Sequence, residues 1–159
     1  VAVGLHFLSS SRFPLRRLAA LTLVLQVGFS SAETPNLYAA DKHWIAYLQA
    51  HTPEEVSSIL GRAESLLDSA EGYPSQSPIA LILHGEETRA FLKANYSTNR
   101  ALVDQAARLD AYNVIDVQVC ETWMRDNSVS ADQLPPFVST VPYGPAVEQQ
   151  LLEQGYDHF

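Results

Sequence analysis

The stretch I-D-V-Q-V-C-E-T-W-M-R, Ile115 to Arg125, reads as a short strand running into the chain's only cysteine, Cys120, followed by a change of period that marks a helix start. A thiol at the seam between a strand's carboxyl end and a helix's amino end sits where reactive cysteines recur. An anionic sulfur there gains from unpaired backbone N–H groups and from the helix dipole. Glu121 opposes that as an adjacent like charge, and Arg125, one turn on, is placed to offset it.

Working outward, Ile79 to Leu83 (I-A-L-I-L) is an apolar run without alternation, the pattern of a central strand covered on both faces. It ends at His84-Gly85. Upstream, His43 to His51 reads as a first strand, with a helix as the rival assignment. Thr52 then caps a helix with Pro53 at its first position, and Glu55 stands at capping-box spacing. Val56, Ile59, Leu60, Ala63, Leu66, Leu67 and Ala70 form its apolar stripe, and Gly72 and Pro74 stop it. Glu86 and Glu87 open a helix through Ala94; Asn95 to Thr98 breaks it, and Asn99 to Ala111 continues with Leu102, Ala106 and Leu109 inward.

Beyond Cys120, Asp126 to Ser130 turns and Ala131 to Leu134 forms one helical turn. Phe137 to Val141 reads as a strand, Pro145 to Gln154 as the last helix, and Tyr156 to Phe159 as a short closing strand. Strands alternating with helices predict a single three-layer α/β domain, with a mostly parallel sheet of about five strands and helices on both faces. Right-handed crossovers place all strand carboxyl ends on one edge, which gathers His84, Cys120 and Tyr143-Gly144. Ligands bind along such an edge.

The opening segment differs from the rest of the 159 residues. Arg12, Arg16 and Arg17 precede the apolar run Leu18 to Phe29, and Ser30-Ser31-Ala32 follows with small residues. Basic, apolar, then small is the pattern of a signal peptide over residues 1–32, and the run falls short of the roughly 20 residues a spanning helix needs. Residues 33–42 read as a linker or arm and 43–159 as the domain, exported, with a bacterial periplasm as the expected compartment. Three of the ten basic residues belong to the signal, leaving seven against 18 acidic ones. So negative a domain repels phosphate backbones and anionic lipid, so neither nucleic acid nor a membrane is an expected partner once the signal is removed. One cysteine closes no internal disulfide, and the thiol is either buried and inert or exposed and used.

Other chemistries lack their residues. There is no C-x-x-C, no G-x-G among the seven glycines and no G-x-S-x-G. The five histidines have no close metal-ligand spacing, and no metal or other cofactor is expected. Glu54-Glu55 and Glu86-Glu87 are accounted for by helix starts. The expected site is Cys120 as nucleophile and His84 as base or hydrogen-bond donor. Gly85, Glu121, Thr122, Arg125, Tyr143 and Gly144 make up its surroundings, while Trp123 and Met124 pack their helix down.

From Ile79 onward the chain resembles the DsrE/DsrF-like family. The resemblance rests on the strand ending at His84-Gly85, V-Q-V-C ending at Cys120, and S-A-D-Q-L-P-P-F-V from Ser130. It extends to V-P-Y-G from Val141 to Gly144 and the terminal L-x-x-Q-G-Y from Leu151 to Tyr156. These pieces cover about half the chain, in the family's order and spacing. The resemblance implies a compact α/β domain assembling into trimers or hexamers, with the cysteine matching Cys120 carrying sulfur as a persulfide. Many relatives have Asn-Thr shortly after that cysteine where this chain has Thr122-Trp123, and their sulfur relays are cytoplasmic.

Two functions follow as expectations. The first is a sulfur carrier or sulfurtransferase-like protein working through Cys120. Its partners would be a sulfur donor or acceptor protein or a small sulfane-sulfur compound. The second is a non-catalytic oligomeric or small-ligand-binding domain whose cysteine is structural.

Overall fold

The computed structural model describes residues 42–68 and 77–159. The expected signal peptide, the arm apart from Lys42, and the helix stop at Gly72 and Pro74 lie outside the described residues. Five strands, β1 (Trp44–Ala46), β2 (Ile79–Leu83), β3 (Ile115–Cys120), β4 (Ser139–Val141) and β5 (Asp157–His158), make one sheet in the order β4-β3-β2-β1-β5. Every neighbouring pair is parallel. β2 is the middle strand and all five of its residues are buried, which is why its sequence runs apolar without alternation.

The helix α1 (Pro53–Asp68) starts where Thr52 Oγ1 accepts the Glu55 N–H at 3.2 Å. The return half of the expected capping box goes elsewhere. The Glu55 carboxylate accepts the amides of Gln49, Ala50 and His51 at 2.8, 2.9 and 3.0 Å. The loop after β1 bends back over the helix start, so three amides of that loop reach the carboxylate and are satisfied by it. Glu55 therefore clamps the β1–α1 loop. The first strand is also shorter than His43 to His51, because the chain leaves the ladder after Ala46 to make this clamp.

The expected helix from Glu86 to Ala94 is instead two 3-10 segments, Glu86–Phe91 and Lys93–Asn95, separated by Leu92 in extended backbone. The helix α2 (Tyr96–Ala111) then begins before the expected Asn99, and the expected break survives as a kink at Asn99, whose φ is −109° and ψ 20°. The remaining elements are α3 (Glu121–Asp126), a 3-10 turn at Ala131–Gln133 and α4 (Gly144–Glu153) with Pro145 in its first turn.

The core divides by face. Val56, Ile59, Leu60 and Ala63 of α1, Leu102, Val103, Ala106 and Leu109 of α2, and Trp123 and Met124 of α3 join Leu81, Leu83, Val117 and Val119 in the main apolar cluster. On the opposite face Val147 and Leu151 of α4 pack against Ile45, Ala80 and Ile82. The strand pleat enforces the division, since Leu81 and Leu83 point one way and Ile82 the other. Three crossovers step outward from β1 to β4, and the α4 connection returns to lay β5 beside β1. A crossover of the same hand taken in the reverse direction falls on the other face. The result is a three-layer, Rossmann-like α/β domain with helices on both faces.

Candidate functional site at the carboxyl edge of the sheet

Cys120 is the last residue of β3, registered with Val141 of β4 and placed just before α3. The connections after β3 and β4 leave on opposite faces, since α3 packs with the main cluster and α4 with the other. The carboxyl ends of two such strands flank a crevice, the usual ligand position in open α/β sheets. Cys120 stands at that crevice but is covered, with 2% of its surface exposed. Its Sγ accepts the backbone N–H of Gly144 at 3.2 Å. The amide facing the sulfur thus comes from the amino end of α4, not from α3.

Gly144 explains the close approach. A Cβ there would lie 3.0 Å from His84 Cβ, 3.1 Å from His84 Cδ2 and 3.1 Å from Ile82 Cγ2. The glycine therefore sits between Cys120 and His84, its amide on the sulfur and its α-carbon against the imidazole.

His84, just past β2, is held from three directions. Its Nε2 donates to Glu148 Oε1 on α4 at 3.3 Å. Its backbone N–H donates to Glu87 Oε1 at 2.9 Å, an oxygen that also accepts the Gly85 N–H at 2.9 Å. Its ring lies 4.5 Å, centroid to centroid, from that of His51 in the β1–α1 loop. The hydrogen bond to Glu148 raises the His84 pKa above its usual value of 6.5; burial works against this, and the charges of Glu148 and Glu87 add to it.

Glu87 is 0% exposed and Glu148 9%. Glu87 Oε2 and His51 Nδ1 are 3.3 Å apart, yet neither atom has an aligned hydrogen-bond partner. The two are close in space and turned wrongly for a bond. His51 adopts φ 52°, the left-handed region where a non-glycine residue is strained. Beside it Gly85 leaves no room: a Cβ there would be 2.6 Å from both His51 Cβ and Glu87 Oε2.

The expected site residues therefore divide. His84, Gly85, Gly144 and Cys120 come together. Thr122 and Glu121 border the group by tying α3 to the following strand: Thr122 Oγ1 donates to the Pro142 carbonyl at 3.1 Å, and Glu121 Oε1 accepts from Thr140 Oγ1 at 2.8 Å. Tyr143 is half exposed next to Gly144. Arg125 is exposed and lies 3.6 Å from Asp126, so its charge is answered within its own turn. Trp123 is buried with the Arg89 guanidinium 5.5 Å from its ring.

Sequence reasoning missed Glu148, His51 and the buried role of Glu87. For Glu148 a signal existed, since Gly144, Glu148 and Leu151 fall at i, i+4 and i+7, one stripe of a helix. Among the described residues no group of three or more His, Cys, Asp or Glu side chains is arranged to hold a metal ion. No described helix is long and apolar enough to cross a membrane. Away from the edge, an apolar cleft of about 300 Å3 lies between Phe91, Tyr96, Val103 and Phe137, and its rim polar groups are already engaged: Lys93 with the Asp132 carbonyl and Tyr96 with Asp104.

No family model matches the chain, and no curated protein matches it. Among solved structures it is similar to a protein of unknown function from Methanobacterium thermoautotrophicum, at 14% identity and a TM-score of 0.53, over 74% of this chain and 93% of that one. At that identity the likeness concerns the fold alone.

Proposed function

We propose that the protein is a sulfur carrier, or sulfurtransferase-like protein, holding sulfane sulfur as a persulfide on Cys120. The observation that carries this reading is the Gly144 N–H aimed at Sγ at 3.2 Å. A neutral thiol is a weak acceptor, whereas an anionic sulfur takes up a charge-assisted bond from an amide at the start of a ten-residue helix. The crevice between β3 and β4 and the DsrE/DsrF-like resemblance support the same reading.

In the proposed step the Cys120 thiolate attacks the outer sulfur of a donor persulfide. The new S–S bond forms at Sγ as the donor's S–S bond breaks. The electron pair leaves on the donor thiolate, which takes the proton that Cys120 gave up. With thiosulfate the leaving group is sulfite. Transfer to an acceptor thiol runs the same exchange in reverse, and no net oxidant or reductant is consumed. His84, across Gly144, is the nearby group able to hold a proton. Export to a periplasm and assembly into a homo-oligomer belong to the same proposal.

The test is cyanolysis after loading with thiosulfate or inorganic polysulfide. One equivalent of thiocyanate per loaded chain, and none from Cys120→Ser, supports the carrier; no thiocyanate from either protein rules it out. A second reading, a ligand-binding or assembly domain with a structural cysteine, is favoured by the 2% exposure of Cys120. Under that reading the native thiol reacts with alkylating reagents only when denaturant is added.

A further inference from the structure

We propose that Glu148 is a positioning residue: through its bond to His84 it latches the amino end of α4 over Cys120 and so controls when the sulfur can be reached. This rests on the sulfur-carrier reading for its purpose, though not for its geometry. A carrier must exchange sulfur with other molecules, and Cys120 is covered. The side chain belongs to the main apolar cluster, and among the described residues the one polar group on its sulfur is the N–H of Gly144, the first residue of α4.

Besides the Gly144 bond to Sγ, two attachments hold α4 to the sheet. One is the small apolar cluster of Val147 and Leu151, on either side of Glu148, seated on Ile45, Ala80 and Ile82. The other is Glu148 to His84 at 3.3 Å, four residues from Gly144. Releasing the second while keeping the first leaves α4 seated through Val147 and Leu151 and frees the His84 ring, against which Gly144 packs. Gly144 fits against the imidazole closely enough that a single added carbon would crowd it, so displacement of either is felt by the other.

The latch has a titratable half. The groups facing His84 are Glu148 on α4, Glu87 on the 3-10 segment and His51 in the β1–α1 loop; two are carboxylates, and both favour the imidazolium. His51 lies close enough that charging it as well opposes the charge on His84. The charged pair is the closed form. Loss of the His84 proton as pH rises weakens the bond to Glu148 and loosens the amino end of α4, under the conditions that also produce thiolate.

With one cysteine in the chain, alkylation reports this opening without ambiguity. The experiment compares the rate of Cys120 alkylation in the full chain with that of Glu148→Gln, from pH 6 to pH 9. Because thiolate formation affects both, the ratio of the two rates is read. The expected result is alkylation about tenfold faster in the variant at pH 6, the scale of losing one hydrogen bond to a charged group. The ratio should fall toward one at pH 9, with Glu148→Asp between the two proteins. Circular dichroism establishes that each variant is folded, and His84→Gln serves as a second opening variant if Glu148→Gln is not.

Equal rates at every pH overturn the latch. A ratio above one that does not change with pH overturns it as well, because general loosening has no reason to track His84. Sulfur loading separates this proposal from the one it rests on. A Glu148→Gln protein that alkylates fast yet takes up no sulfur leaves the latch standing and removes the carrier.

Discussion

Glu87 and His84 are joined through the backbone rather than through their side chains: Glu87 Oε1 accepts the His84 amide, and the Gly85 amide with it, at 2.9 Å each. A fully buried carboxylate thus holds the turn that ends the central strand. Replacing it leaves two part-buried amides without their acceptor. Glu87→Ala is expected to lose about 3 kcal/mol of stability in urea unfolding, the cost of unsatisfied buried donors. A loss below about 0.5 kcal/mol, within the range of an ordinary surface substitution, contradicts that role.

The glycines next to this turn differ in what they require. Gly85 has φ −127°, which any residue adopts, so its requirement is for space beside His51 and Glu87. Gly155 has φ +91° with open space around it, so its requirement is conformational. Gly85→Ala is expected to cost about 1–3 kcal/mol through overpacking and to move the His51 and His84 NMR signals. Gly155→Ala costs about 1 kcal/mol and leaves those signals in place. Equal signal changes in the two variants contradict the assignment.

His84 sets the alkaline side of stability. Its pKa is raised in the folded chain, chiefly by the bond to Glu148, so its contribution is complete below the ordinary value of 6.5 and is lost as pH rises through the folded value. Two-dimensional NMR of the ring should give a midpoint above 6.5 that moves back down in Glu148→Gln. An unchanged midpoint in the variant removes Glu148 as the cause.

Glu55 acts on the acid side. Burial raises its pKa, and the amides of Gln49, Ala50 and His51 together outweigh that and bring it below 4.5. Its contribution is present above the ordinary value and disappears as pH falls through the folded one. Glu55→Gln should therefore be less stable than the natural chain at pH 6, with the gap closing in strong acid. A gap that is constant with pH contradicts the clamp.

The fold was legible where one local signal had no competitor. Ile79 to Leu83 admits only a strand buried on both faces, and Thr52-Pro53 marks a helix start within one residue. Glu86 to Ala94 misled because its acidic opening is that of an α-helix. Here Glu87 turns back to the amides before it, and Leu92, in extended backbone, cuts the segment into short turns. That preference is set by tertiary contact and has no periodic signature.

The grouping of Cys120, His84 and Gly144 in the candidate site was legible, because a parallel sheet brings strand ends to one edge. Glu148 was not singled out, since a carboxylate on a terminal amphipathic helix reads as solvent-facing until its partner is known. His51 could not be found from spacing either. Its ring meets His84 only because Glu55 bends the β1–α1 loop back, and no local pattern encodes that bend.

The measurement that bears most directly on the account is the intact mass of the full chain after exposure to thiosulfate and to inorganic polysulfide, at pH 8, beside Cys120→Ser and Glu148→Gln. The account predicts a gain of one sulfur atom in the natural chain, a faster gain in Glu148→Gln and none in Cys120→Ser. No gain in any of the three, or an equal gain in the serine variant, contradicts it.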